Sequence, residues 1–173
     1  THEDRKHLSY QPICLFTNNI WDVPAPMRVL ATGNSFWNII SSMRPHSLRN
    51  FASHAQPMDA LVEMNFWSTR TIVEDGHQYW RSYFHFGGNY SVTPIYVPIY
   101  QDAVLSNGYM RTLKAQFVQL RRWAYGASDV AYVGNLFFSC KRNTPFWPTL
   151  ARFAHLLDNH VTQACIAILV TIG

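Results

Sequence analysis

Two adjacent acids, Glu74 and Asp75, follow the run Thr71-Ile72-Val73 and precede the aromatic-rich stretch Gly76-His77-Gln78-Tyr79-Trp80. A carboxylate at the edge of an element can take a proton from a hydroxyl, provided its pKa rises from about 3.9 toward the working pH. The spacing equally spells a helix start, because Asp75 and Gln78 make a D-x-x-Q capping box, and capping is the commonest task of Asp at such a place. The two roles are compatible. A second set lies in "QFVQLRRWAYGASD", residues 116–129, where Gln119, Arg122, Trp123 and Gly126 fall at i, i+3, i+4 and i+7 and share one helical face. Arg grips phosphate oxygens in a bidentate fork, Trp offers a plane for a sugar ring, and Gly lets a ligand approach closely. The plainer alternative is a surface helix whose Arg lies over its own Trp.

Holding these side chains requires elements on both sides. The helical period from Asp75 through Trp80, Tyr83, Phe84 and Gly87 predicts an aromatic helix, with Gly87-Gly88 as its left-handed stop. "YSVTPIYVPIY" (90–100) is β-branched and aromatic, but Pro94 and Pro98 restrict it to an edge strand. A helix over about 108–127 is predicted from Met110, Leu113, Phe117, Leu120 and Ala124, an apolar stripe distinct from the Gln119/Arg122/Trp123 face. Upstream, residues 1–30 read as loop-rich, 27–40 as a short strand, a Gly33-Asn34 turn and a helix opening, and 59–66 as a short helix.

The chain of 173 residues is 48% hydrophobic and 14% charged, which suits one domain with a real core and excludes a disordered segment. A net charge of +4 is compatible with phosphate-bearing partners or an anionic membrane surface. Cys14, Cys140 and Cys165 are far apart and form no C-x-x-C pair, so a reducing compartment is the simpler reading. His77 and His85, and His155 and His160, miss the i, i+4 spacing of helical metal ligands.

After "KRNTPFWP", Trp147, Leu150, Phe153, Ala154, Leu157 and Val161 make one apolar stripe, which suits an ordinary amphipathic helix packed on a core or, with the charge-free run that follows, a helix lying in a membrane surface. The charge-free run 161–173 is too short for a span of about 20 residues; it is either a buried terminal helix or the beginning of a transmembrane helix, and the latter is expected. The expected organisation is therefore a catalytic part over 1–140, an amphipathic interface helix over 141–160 and the start of a span at 161–173, the whole being an internal piece of a longer protein. Lys141, Arg142 and Arg152 before the apolar run put this side in the cytoplasm.

An E-D pair, then a strand, then Q-x-x-R-W, with 44 positions between Asp75 and Gln119 (119 − 75), resembles the processive, membrane-bound branch of glycosyltransferase family 2, the branch of cellulose, chitin and hyaluronan synthases. The family's T-E-D reads Val73-Glu74-Asp75 here, and its Q-x-x-R-W reads Gln119-Leu120-Arg121-Arg122-Trp123. "ATGNSF" (31–36) lies where these enzymes place a small-residue segment near the donor nucleotide, a looser match. The resemblance covers about residues 27–173 and is densest over 66–130.

It implies an α/β fold, the acceptor-side half of a GT-A-like domain. It also implies sugar transfer from a nucleotide donor to a glycan or lipid-linked acceptor, with inversion, at a membrane. Asp75 would be the general base, Arg122 would neutralise the departing diphosphate, Trp123 would floor the acceptor, and Gln119, Glu74 and the Gly33-Asn34-Ser35 segment would support donor or acceptor. Two departures stand out: Val73 replaces Thr, and the chain contains no D-x-D, the motif that holds diphosphate and a divalent cation (Mg or Mn) in the family. Those ligands are expected upstream of Thr1, and this piece is expected to be inactive alone. Competing readings are a non-catalytic module binding carbohydrate or nucleic acid, and a structural membrane-interface piece. Basic residues form no run beyond Arg121-Arg122 and Lys141-Arg142, so a nucleic-acid partner is not expected.

Overall fold

In the computed structural model, residues 4–140 and 142–172 are described, with side chains of the last helix described through Thr162 and at Cys165. The chain is mixed α/β, about 55% helix, with a two-stranded parallel sheet. Strand β1 (Leu8–Leu15) falls within the stretch read as loop. Its inward residues are Ser9, Gln11 and Cys14, so the apolar-in alternation that announces a strand is missing. Those polar groups are satisfied by the 50–52 segment. Ser9 Oγ donates to Asn50 Oδ1 (3.0 Å), Gln11 Oε1 accepts from Phe51 N (2.9 Å), and Gln11 Nε2 donates to Ala52 O (3.0 Å). Tyr10 and Ala55 add a reciprocal backbone pair at 2.8 Å each way.

Strand β2 (Ser91–Tyr100) runs parallel to β1, and the register slips between Pro12↔Ile95 and Ile13↔Pro98, so Tyr96 and Val97 form a bulge. Most of β2 is exposed, as two prolines on an edge strand require.

Helix α1 (Ala25–Ser42) replaces the expected strand and turn at 27–40. Pro26 sits in its first turn, where a missing N–H costs nothing. The buried residues Met27, Ala31, Ser35, Asn38 and Ser42 keep helical spacing, but three of the five are polar, which hid the pattern. Gly33 is mid-helix and faces open space, not a turn. Helix α2 (Met58–Glu63) is short, as expected, and Arg5–Asp59 and Lys6–Glu63 ion pairs at 2.8 Å tie it to the turn over Asp4–His7.

The main core forms around α3 (Glu74–His85). Tyr79, Trp80, Tyr83 and Phe84 are buried together with Leu48, Tyr90, Val92, Val133 and Leu156, each large side chain contributing about 1.5–3 kcal/mol. The helix closes as predicted: Gly88 N bonds Tyr83 O (2.8 Å) and Gly87 N bonds Phe84 O (3.3 Å), with φ of 86° and 63°.

Helix α4 (Tyr109–Ala124) and α5 (Ser128–Phe138) are joined by a 3-10 turn over Tyr125–Ala127. On α4 the expected polarity is reversed. Thr112 and Gln116 are buried, whereas Met110 (72% exposed), Phe117 (65%) and Leu120 point outward, and only Leu113 joins a core, the Val23/Met27/Ala31/Ala103 cluster.

Residues Phe146–Ile172 form a single helix, α6, so the expected interface helix and the run after it are one element. Its inward face carries Thr149 and Leu156, and it docks on α3 through Tyr83 Oη–Thr149 Oγ1 (2.9 Å) and Arg152 Nη1 donating to Tyr79 Oη (2.5 Å). Of the predicted stripe, Leu150 and Phe153 turn inward, while Trp147 (75% exposed), Leu157 and Val161 face out. No helix among the described residues is long and apolar enough to cross a membrane. Lys141 and most side chains of 161–173 lie outside the described residues.

Candidate functional site

Asp75 occupies the second position of α3, and the helix is capped by Val73 with no side-chain hydrogen bond. The expected capping box is therefore not formed. Gln78 is buried and turned away from the helix start: its Nε2 donates to Gln56 Oε1 (3.1 Å) and its Oε1 accepts from Arg81 Nη1 (2.9 Å). The Asp75 carboxylate is left half-buried and free of the capping role. Burial pushes its pKa above the ordinary carboxylate value, and the neighbouring Glu74 charge pushes it further; His54 and Arg122 pull it back.

Arg122 has the weakest of these four influences on Asp75, and no ion pair joins the two described side chains. Arg122 is exposed, Trp123 is 38% exposed and Gln119 half-buried. Arg122 does not lie over Trp123; the described cation–π pairs are formed by Arg28, Arg49, Arg142 and Arg152. Cavities of about 530 Å³ (beside Arg81, Phe84, Tyr132 and Arg142) and about 750 Å³ (along 102–108) are lined by neither Asp75 nor Arg122.

His54 was not visible in the sequence as a site residue. Its Nδ1 lies 3.8 Å from Asp75 Oδ1 and donates to Phe51 O at 3.1 Å, while its buried Nε2 has no hydrogen-bond partner among the described residues. The preceding Ser53 has φ 66°, an uncommon conformation for a residue with a side chain. Trp67 stands edge-on to the His54 ring at 6.4 Å. It follows two left-handed residues, Asn65 and Phe66, and the Arg81 guanidinium fixes that turn by donating to Met64 O (2.7 Å) and to Phe66 O. Left-handed residues thus precede both rings of the His54–Trp67 pair, of which His54 approaches Asp75.

The Gly33-Asn34-Ser35 segment is helical and does not form the turn expected near a donor. Ser35 Oγ is engaged inside the fold, donating to Ala31 O (2.8 Å) and accepting from Phe16 N (2.9 Å). The histidines separate: His77 pairs with Asp129 (2.6 Å) and His85 with Glu63 (3.1 Å). Among the described residues no three His, Cys, Asp or Glu side chains converge as a metal site, so the described residues do not by themselves fit a divalent cation.

Comparison with protein-family models, with curated proteins and with solved structures finds no match.

Proposed function

We propose that the chain carries the acceptor-side half of an inverting, nucleotide-sugar-dependent glycosyltransferase of the family 2 processive type. The observation that carries this reading is the half-buried Asp75 carboxylate, free of capping, approached by His54 at 3.8 Å and lying within electrostatic reach of Arg122 from the second signature segment. Asp75 has the properties of a base: it is relieved of capping, partly desolvated and raised toward working pH.

In the reaction, an acceptor hydroxyl loses its proton to Asp75 as its oxygen attacks the anomeric carbon. The bond to the nucleoside diphosphate breaks, and the leaving group takes the electron pair. Arg122 meets the charge developing on that diphosphate. Trp123 supplies a flat face for the acceptor ring, and Gln119 hydrogen-bonds a sugar hydroxyl. A divalent cation would supply further neutralisation of the diphosphate; its ligands are not assembled by the described residues. The family reading also proposes a GT-A-like fold, and a membrane-bound protein with this face in the cytoplasm.

Incubating the full-length protein with labelled nucleotide sugars and measuring label in glycan and lipid fractions tests the proposal. Transfer from any donor supports it. No transfer, with steeply salt-dependent binding of single-stranded nucleic acid, replaces it by the binding-module reading.

A further inference from the structure

Arg122 sits on a stretch of α4 with little support of its own: residues 120–125 are all exposed. The first half of α4 is anchored by Thr112, which bonds Ser106 and Gly108, and by Leu113 in the α1 cluster. Beyond Gln119, the chain passes through Tyr125–Ala127 into α5, and there it meets α3 directly.

Asp129, 4% exposed at the start of α5, bonds His77 Nδ1 through Oδ1 at 2.6 Å. Its other oxygen stands 4.0 Å from the place a Cβ would take at Gly76. The His77 ring packs on Tyr132, one turn further along α5, with centroids 4.6 Å apart. Gly76 and His77 are the two residues after Asp75. The carboxylate of Asp129 also acts on Arg49, Tyr132 and His160, and Gly126 in the connecting turn lies within 3.6 Å of His160 of α6 when a Cβ is placed on it.

We propose that the His77–Asp129 pair is a positioning latch that fixes the Arg122 end of α4 against the Asp75 end of α3, and so sets the spacing between base and leaving-group cation. Neither residue touches substrate in this account; both act through Asp75 and Arg122. A buried, short, charge-assisted bond suits the task, because it has one geometry and resists sliding. The functional half of this inference rests on the glycosyltransferase reading; the geometric half does not.

The test uses spin labels at Glu74 and Arg121, exposed neighbours of the two working residues, in full-length protein with Cys140 and Cys165 replaced by Ser. Cys14 can stay, since burial pushes its thiol up to about 11 and leaves it unreactive near neutral pH. Pulsed EPR distances in this labelled background, and steady-state kinetics in the unlabelled protein with Glu74 and Arg121 intact, are then compared for wild type, Asp129→Ala, Asp129→Asn and His77→Ala. The latch predicts a narrow 74–121 distance distribution in wild type that broadens in both Ala variants and stays narrow in Asp129→Asn, whose amide oxygen can still accept from Nδ1. It also predicts that kcat falls at least tenfold in the Ala variants, less in Asp129→Asn, while donor KM stays within about twofold. An unchanged distribution in Asp129→Ala overturns the latch, and a broadened one with unchanged kcat overturns its role in spacing the site. Should Asp129→Ala fail to fold, His77→Ala and Asp129→Asn carry the comparison. Absence of transfer in wild type removes the glycosyltransferase reading, while the distances still decide the latch.

Discussion

His54 Nδ1 lies 3.8 Å from Oδ1 of Asp75, on a segment stitched to the polar inward face of β1. Burial raises the pKa of that carboxylate most, and three separate pieces of chain modulate it: Glu74 beside it on α3, His54 from the 50–55 segment, and Arg122 from α4. Two of them favour ionisation and one opposes it.

The signs give a pH prediction. A base works deprotonated, so the acid limb of kcat/KM follows the pKa of Asp75 in the free enzyme. Glu74→Gln removes a like charge and is expected to move the limb to lower pH. His54→Gln removes a group that favours the carboxylate and is expected to move it to higher pH. Profiles measured for both variants check this; shifts of the same sign would show that the limb does not report Asp75.

Stability should respond in the opposite sense to activity. Because the folded-state pKa of Asp75 is raised, its contribution is fully present below the unfolded value and is lost as pH rises through the folded one. Asp75→Asn removes that loss. Its Tm is expected to exceed wild type by about 1–2 °C at neutral pH, a gain kept small by solvent screening, and to match it below the ordinary value of 3.8. Calorimetry across that range checks the sign.

The far end of α3 is held by Gly88, whose φ is 86° and whose added Cβ would come within 2.6 Å of Pro145 Cδ. Gly88→Ala combines a left-handed alanine with a clash between α3 and the approach to α6. It is expected to cost about 2–4 kcal/mol in denaturant unfolding, whereas the same change at Gly33, mid-helix and facing open space, is expected to stabilise by up to about 1 kcal/mol.

How far the sequence could be read depended on whether apolar residues pointed inward. On α3 they do: Tyr79, Trp80, Tyr83 and Phe84 repeat at helical spacing, and the Gly pair ends the helix where expected. On β1 and α1 the buried faces are largely polar, with Ser9, Gln11, Ser35, Asn38 and Ser42 beside Cys14, Met27 and Ala31, so neither element showed its period. On α4 the rule inverts, with Thr112 and Gln116 inside and Phe117 outside. Glu74 with Asp75, and Arg122 with Trp123, could be singled out as candidates because local spacing groups each pair. His54, Trp67 and Asp129 were not, because long-range bonds from β1, Arg81 and His77 place them, and no local period records those bonds.

The most direct measurement is sugar transfer by full-length Asp75→Asn beside wild type, with nucleotide-sugar binding followed in parallel. Loss of a general base predicts a kcat lower by about 10²–10⁴-fold with donor affinity retained. Transfer at the wild-type rate in that variant would contradict the account.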